Sequence, residues 1–249
     1  MKKLLIIIGL LVIIVIAGFV WWTKNSERLI TDKIQETAGE FFVNTENIEI
    51  SYNKISIKNW STAFIDNITI SGTNLELKGG GRVKNANIIL NGVHISMPPV
   101  RLTDIDSGEY LISLSTDDIN SYLRAKKGVT LLDGMIPVSS IRFAPGTKNS
   151  IFSGVVEVPI ISTKIPWKVN GNIVKSENGE GIDFVPKSAD ISKVKISATV
   201  LMKAIANINP IVDVSSWPVD MNIQKITPSE SGIEFSGKLI NFKDGMLFR

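Results

Sequence analysis

The sequence predicts an α+β protein: an N-terminal transmembrane helix, then long antiparallel strands interrupted by a few helices. Three observations predict it. Residues 4–22 (LLIIIGLLVIIVIAGFVWW) contain no charged side chain. Beyond them, apolar and polar residues alternate with period two through most of the chain. Helical spacing replaces this alternation in only a few windows.

As a helix, residues 4–22 span about 28 Å, close to the hydrocarbon thickness of a bilayer. The β-branched residues do not forbid a helix, because in lipid every backbone polar group must be satisfied within the segment. Trp21 and Trp22 close the run, where amphipathic rings favour the headgroup level, and are expected membrane contacts. Lys2 and Lys3 precede it. They place the N-terminus in the cytoplasm and the remaining chain outside, as a single-pass protein of the cell membrane. The competing reading is a cleaved signal peptide, cut after Ala17 with Val15 as the other small residue. That cut leaves Phe19, Val20, Trp21 and Trp22 at an exposed end, which favours an uncleaved anchor. Residues 1–24 are therefore assigned to an anchor or signal segment. Residues 25–249 form one domain, since no linker or low-complexity tract divides them.

Residues 25–42 keep Leu29, Ile30, Ile34, Ala38, Phe41 and Phe42 at helical spacing, which predicts an amphipathic helix. From Ile48 the period becomes two. Ile48, Ile50 and Tyr52 alternate with polar neighbours, and Ile55 and Ile57 resume on the other parity, implying a bulge or turn near Asn53-Lys54. Strands follow at 65–70, 74–78, 83–95, 110–114, 138–143, 151–158, 160–174, 181–185, 191–196, 219–226 and 232–242. Gly79-Gly80-Gly81, Asn91-Gly92, Asn178-Gly179 and Ser231-Gly232 read as turns between them. Ser115-Thr116-Asp117-Asp118 is a capped, acidic start to a helix over 119–127, stopped by Gly128. A further helix, over 199–208, ends before Pro210.

Composition narrows the chemistry. The 249 residues carry 27 Lys and Arg against 24 Asp and Glu, a balance that argues against a nucleic-acid partner. The absence of cysteine removes disulfides, thiolate zinc sites, a cysteine nucleophile and a lipid-modified N-terminus. His94 is the single histidine; it lies in the alternating NGVHISM and reads as structural or surface. Gly232 to Leu239 approaches a phosphate-binding loop, but Leu239 stands where a hydroxyl should reach magnesium and no helix follows. Asp104-Ile105-Asp106-Ser107-Gly108-Glu109 approaches a calcium loop, with the glycine one position early and Ser115 in place of the bidentate Glu. No Gly-x-Ser-x-Gly elbow occurs, and no carboxylate pair is singled out. The expectation is a non-catalytic protein without metal or cofactor. Trp60, Phe64, Trp167 and Trp217 fall at or near strand ends or turns, either as core rings or as an apolar rim beside a membrane.

Five stretches resemble the LmeA-like phospholipid-binding family of bacterial envelope proteins. Residues 48–52 (IEISY) and 60–70 (WSTAFIDNITI) are similar to its opening strand, short apolar loop and next strand. Residues 83–95, with Asn91-Gly92-Val93, are similar to its third strand. Residues 112–124 (ISLSTDDINSYLR) resemble its strand followed by an Asp-x-Asn-x-x-Leu helix. Residues 217–237 (WPVDMNIQKITPSESGIEFSG) resemble its closing, Pro-led hairpin. The chain departs from the family at Phe64-Ile65-Asp66, where an apolar-Gly-Arg turn is common. The resemblance, over residues 30–242, implies a strongly curved antiparallel sheet wrapped around a long amphipathic helix, with an apolar cleft between them.

The function so implied is binding or transfer of a phospholipid or related amphiphile outside the cytoplasm, at a membrane. Each buried CH₂ contributes about 0.8 kcal/mol, so a cleft needs no catalytic group to hold a lipid. Phe41, Phe42, Leu123, Leu201, Ile205 and Trp217 are the expected cleft wall, and Trp60 and Phe64 further membrane contacts. Two other readings stay open: a β-rich scaffold with a full core that binds an envelope protein or polymer, and an envelope hydrolase with two carboxylates across a cleft.

Overall fold

Alternating residues bury one face of a strand and wet the other, and here that pattern builds two antiparallel sheets around a shared core. The computed structural model describes residues 25, 28–29, 31–32, 36, 42–44, 46–59, 61–76, 81–96, 101–125, 130–131, 136–158, 163–191, 198–215, 217 and 219–242. In chain order the strands are β1 (Ile48–Tyr52), β2 (Ile55–Asn59), β3 (Thr62–Glu76), β4 (Arg82–Ser96), β5 (Arg101–Ser115), β6 (Thr130–Leu131) and β7 (Ile136–Ala144). They continue as β8 (Ser150–Val158), β9 (Thr163–Lys175), β10 (Gly181–Ile191), β11 (Val212–Asp213), β12 (Val219–Ser229) and β13 (Gly232–Phe242). Helix α1 (Thr116–Ala125) follows β5, and α2 (Ala198–Ala206) follows β10.

The first sheet has the order β1-β3-β4-β5-β13-β12, with β2 also paired to β3, and the second the order β11-β10-β9-β8-β7-β6. The chain therefore builds most of the first sheet, leaves it to form the second, and returns with the β12–β13 hairpin. The break foreseen near Asn53-Lys54 separates β1 from β2. The register on β3 runs through it unchanged, with Tyr52 opposite Ile68 and Ile55 opposite Ile65. Asn91-Gly92 is no turn. Gly92 sits inside β4 with φ 63°, and a Cβ there would collide with the Asp106 carboxylate, so only glycine fits.

Two expectations need correction. The fold is mostly antiparallel sheet, and its complete helices among the described residues are short: ten residues in α1 and nine in α2. Neither sheet curls around a long helix; α1 packs between β7 of the second sheet and β4, β5 and β13 of the first, and α2 packs mainly on β10 of the second. Period-two alternation marks strands but does not say that they divide into two sheets, and a second sheet supplies the cover that a long helix was expected to give. Of the helix expected over 25–42, Asn25, Arg28, Leu29, Thr31, Asp32 and Glu36 are helical, Phe42 is not, and the others lie outside the described residues. The single-pass architecture in the cell membrane is corrected as well. No helix among the described residues is long and apolar enough to cross a membrane, and residues 4–22, on which that expectation rested, lie outside them.

Side-chain amides fasten both helical segments to the second sheet. Ser115 and Asp118 cap α1 reciprocally, the Asp118 N–H donating to Ser115 Oγ (3.1 Å) and the Ser115 N–H to Asp118 Oδ2 (3.2 Å). Arg82 Nε donates to the other Asp118 oxygen at 3.1 Å. Asn120 then accepts the Phe143 N–H (2.7 Å) and donates to the Phe143 carbonyl (2.9 Å), as a neighbouring strand would. Asn209, just beyond α2, makes the same pair of bonds to Phe184, at 2.8 and 3.0 Å. The clamped Phe143 and Phe184 both pack on Phe152, with ring centroids 4.8 Å from it.

Candidate functional site

On the inner face of the first sheet, cross-strand partners fall into continuous rows. One row runs Ile50, Ile70, Ile88, Tyr110, Gly237, Ile223. Its neighbours run Ile48, Gly72, Ala86, Ile112, Phe235, Ile226 and Tyr52, Ile68, Leu90, Gly108, Leu239, Met221. None of these residues is charged.

Cover over the first two rows is uneven. On β5, β13 and β12, Tyr110 is 3% exposed, Phe235 1% and Ile223 0%, beneath α1 and the second sheet, and only Ile226, at the outer end of the second row, is half-buried. On β1, β3 and β4, Ile48, Ile50, Ile70, Ala86 and Ile88 are only half-buried, although they pack against the same core. The result is an apolar strip, three strands wide, that continues the core into partial contact with water. At its margin Tyr52 OH lies 3.1 Å from Thr31 Oγ1 of the N-terminal helical segment. Asn44 ties the chain after Phe42 to the end of β3, donating to the Asn74 carbonyl and accepting the Glu76 N–H, each at 2.9 Å.

Tyr110 stands at the inner end of this strip. Its hydroxyl is buried without a hydrogen-bond partner among the described residues, an arrangement that costs about 1–3 kcal/mol. Burial pushes the phenol well above its ordinary pKa, so it remains a neutral donor. The Tyr110 ring meets Phe235 edge-on at 6.2 Å, and Phe235 lies 6.4 Å from the half-buried Trp217. Gly237 makes room for the phenol: a Cβ there would come within 2.8 Å of its oxygen. Trp167 Nε1, on the second sheet, is likewise buried and unpartnered.

The residues expected from the sequence divide between places. Leu123 on α1 and Leu201 and Ile205 on α2 are buried in one core cluster, with Phe42 and Trp217 packed against it half-buried. Leu201 and Ile205 are 0% exposed, so each is a core position in the protein as it stands. Phe64 is set apart, half-buried and edge-on to His94 at 5.0 Å. Phe41, Trp21, Trp22 and Trp60 lie outside the described residues. The isoleucine strip and Tyr110 were not singled out by the sequence. Alternation marks their strands, but nothing in it tells a half-open face from a closed one.

The motifs set aside earlier are strand segments. Gly232 to Leu239 lies in β13, and Asp104 to Glu109 in β5, where the Asp104 carboxylate accepts the Ile105 N–H at 2.9 Å. His94 Nε2 is 3.7 Å from Asp106 Oδ1 on the wet side. No group of three or more His, Asp or Glu among the described residues has the arrangement to hold a metal ion.

No curated protein and no solved structure matches the chain. A family does: that of LmeA-like phospholipid-binding proteins, over residues 64–238. The match runs from β3 to β13 and so takes in the second sheet, the first sheet apart from β1 and β2, α1, α2 and the Tyr110 region. It covers well over half of the 249 residues, and the chain belongs to the LmeA-like phospholipid-binding family.

Proposed function

We propose that the protein binds a phospholipid or related amphiphile without catalysis, taking it from a membrane and laying its acyl part on the strip formed by Ile50, Ile70 and Ile88. The observation that carries this reading is the inner face of the first sheet, which stays apolar beyond the point where its cover ends. An acyl chain there removes apolar surface from water at about 25 cal/mol per Å². Phe42 and Trp217, half-buried against the same core, would flank the site, with Leu123, Leu201 and Ile205 as the packed wall behind it. Phe64 is a candidate membrane contact at the far end of the first sheet.

The test is capture. The full chain is incubated with vesicles of phosphatidylethanolamine and phosphatidylglycerol, re-isolated and weighed by native mass spectrometry. About one phospholipid per chain is expected, and Ile70→Asn together with Ile88→Asn should lower that occupancy severalfold while cooperative unfolding persists. The complete burial of Leu201 and Ile205 favours a second reading, a β-rich scaffold for an envelope protein or polymer. A folded wild-type chain that captures no lipid would decide for it.

A further inference from the structure

We propose that Tyr110 makes the hydrogen bond by which this site recognises its ligand, its phenolic O–H donating to an uncharged carbonyl oxygen of an acyl ester. The inference rests on the lipid-binding reading above and names the chemistry within it. Tyr110 follows Ile88 directly in the row Ile50, Ile70, Ile88, so the apolar strip leads to it. Three strand spacings, about 14 Å, separate Ile50 from Tyr110, a length suited to an extended acyl chain. Beyond Tyr110, the rings of Phe235 and the half-buried Trp217 continue toward the surface, the side on which a headgroup would remain.

The ligand atom is chosen by charge and by need. None of the eighteen residues in the three inner rows is charged, so a phosphate or carboxylate would be buried there without a counter-ion. A neutral carbonyl avoids that cost and supplies the acceptor that the buried hydroxyl lacks. A ligand with the same chains but no carbonyl leaves the hydroxyl unpaired.

The experiment offers the full chain vesicles containing equal amounts of dioleoyl phosphatidylcholine and its dioleyl diether counterpart, and quantifies both lipids on the recovered protein. The wild type should carry about tenfold more diester than diether, the ratio expected for one such hydrogen bond. Tyr110→Phe should carry the two about equally, with a melting temperature no lower than wild type, because it removes an orphan polar group. Equal capture by the wild type, or a preference that survives Tyr110→Phe, overturns the role of Tyr110 and leaves lipid binding intact. A Tyr110→Phe protein that melts several degrees lower also overturns it, since the hydroxyl would then have a partner within the fold. Capture of neither lipid overturns this inference and the lipid reading together.

Discussion

The two halves of the first sheet's inner face have nearly the same chemistry and different fates. Ile112 on β5 is 2% exposed and Ile223 on β12 is fully buried, while Ile48 and Ala86 in the row of Ile112, and Ile50, Ile70 and Ile88 in the row of Ile223, remain half-buried on β1, β3 and β4. The residue type does not make the difference. The cover does: α1 and the second sheet pack on one half, and the chain at Thr31 and Asn44 borders the other. A half-covered apolar face is where ligand can replace water with little rearrangement, whereas the covered half, Tyr110 at its border apart, holds the fold together.

That contrast sets an order of effects. Phe235→Ala, in the covered half, should cost about 3–5 kcal/mol in denaturant unfolding, as a large ring removed from a packed core does. An equal loss for Ile70→Ala would break the comparison. Asn120→Ala leaves the N–H and carbonyl of Phe143 without their partner and should cost about 1–3 kcal/mol, with Asn209→Ala alike through Phe184. Ile70→Ala and Ile88→Ala, in the half-covered part, should cost only about 1 kcal/mol each, since partial burial scales down the transfer and cavity terms. Their main effect should be on captured lipid.

The smallest effect is confined to alkaline solution. The Tyr110 phenol is raised by burial, so its contribution to stability is fully present below the unfolded-state pKa of about 10. Above that pH the unfolded chain releases the proton while the folded chain holds it, and stability falls. Tyr122 is raised too, by burial and then by the Asp213 carboxylate, and adds to the same decline. Unfolding curves measured upward from pH 9 should therefore show a shallower loss in Tyr110→Phe than in wild type.

Much of the strand pattern was legible. The strands expected over 83–95 and 232–242 are β4 and β13, within a residue at each end. The capped start at Ser115 opens α1, and the Asp-x-Asn-x-x-Leu helix gains a physical meaning: Asp118 caps, Asn120 clamps Phe143 and Leu123 enters the core. Asn91-Gly92 misled because such a pair marks a hairpin only where the flanking residues can turn back on each other. Here Asn67 and Ser107 flank it on neighbouring strands, and the positive φ serves the approach of Asp106. The division into two sheets was hidden because it depends on distant pairings such as Ser115 with Gly232. The site was half legible for the same reason. Leu123, Leu201 and Ile205 show their apolar helix faces in sequence, but not whether they meet ligand or protein. The space for the Tyr110 phenol depends on Gly237, a residue far along the chain.

The nested order of the two sheets also has a consequence in time. β5 pairs with β13, so one edge of β5 waits until the whole second sheet and the β12–β13 hairpin have been made. At about 5–20 residues per second, that wait is on the order of ten seconds during synthesis. For that interval a fifteen-residue strand offers an unpaired row of backbone groups to any passing chain. Nascent chains stalled before Gly232 has emerged should therefore recruit holding chaperones, and chains stalled after Phe242 has emerged should release them; equal recruitment at both points would show that β5 is sheltered by other means.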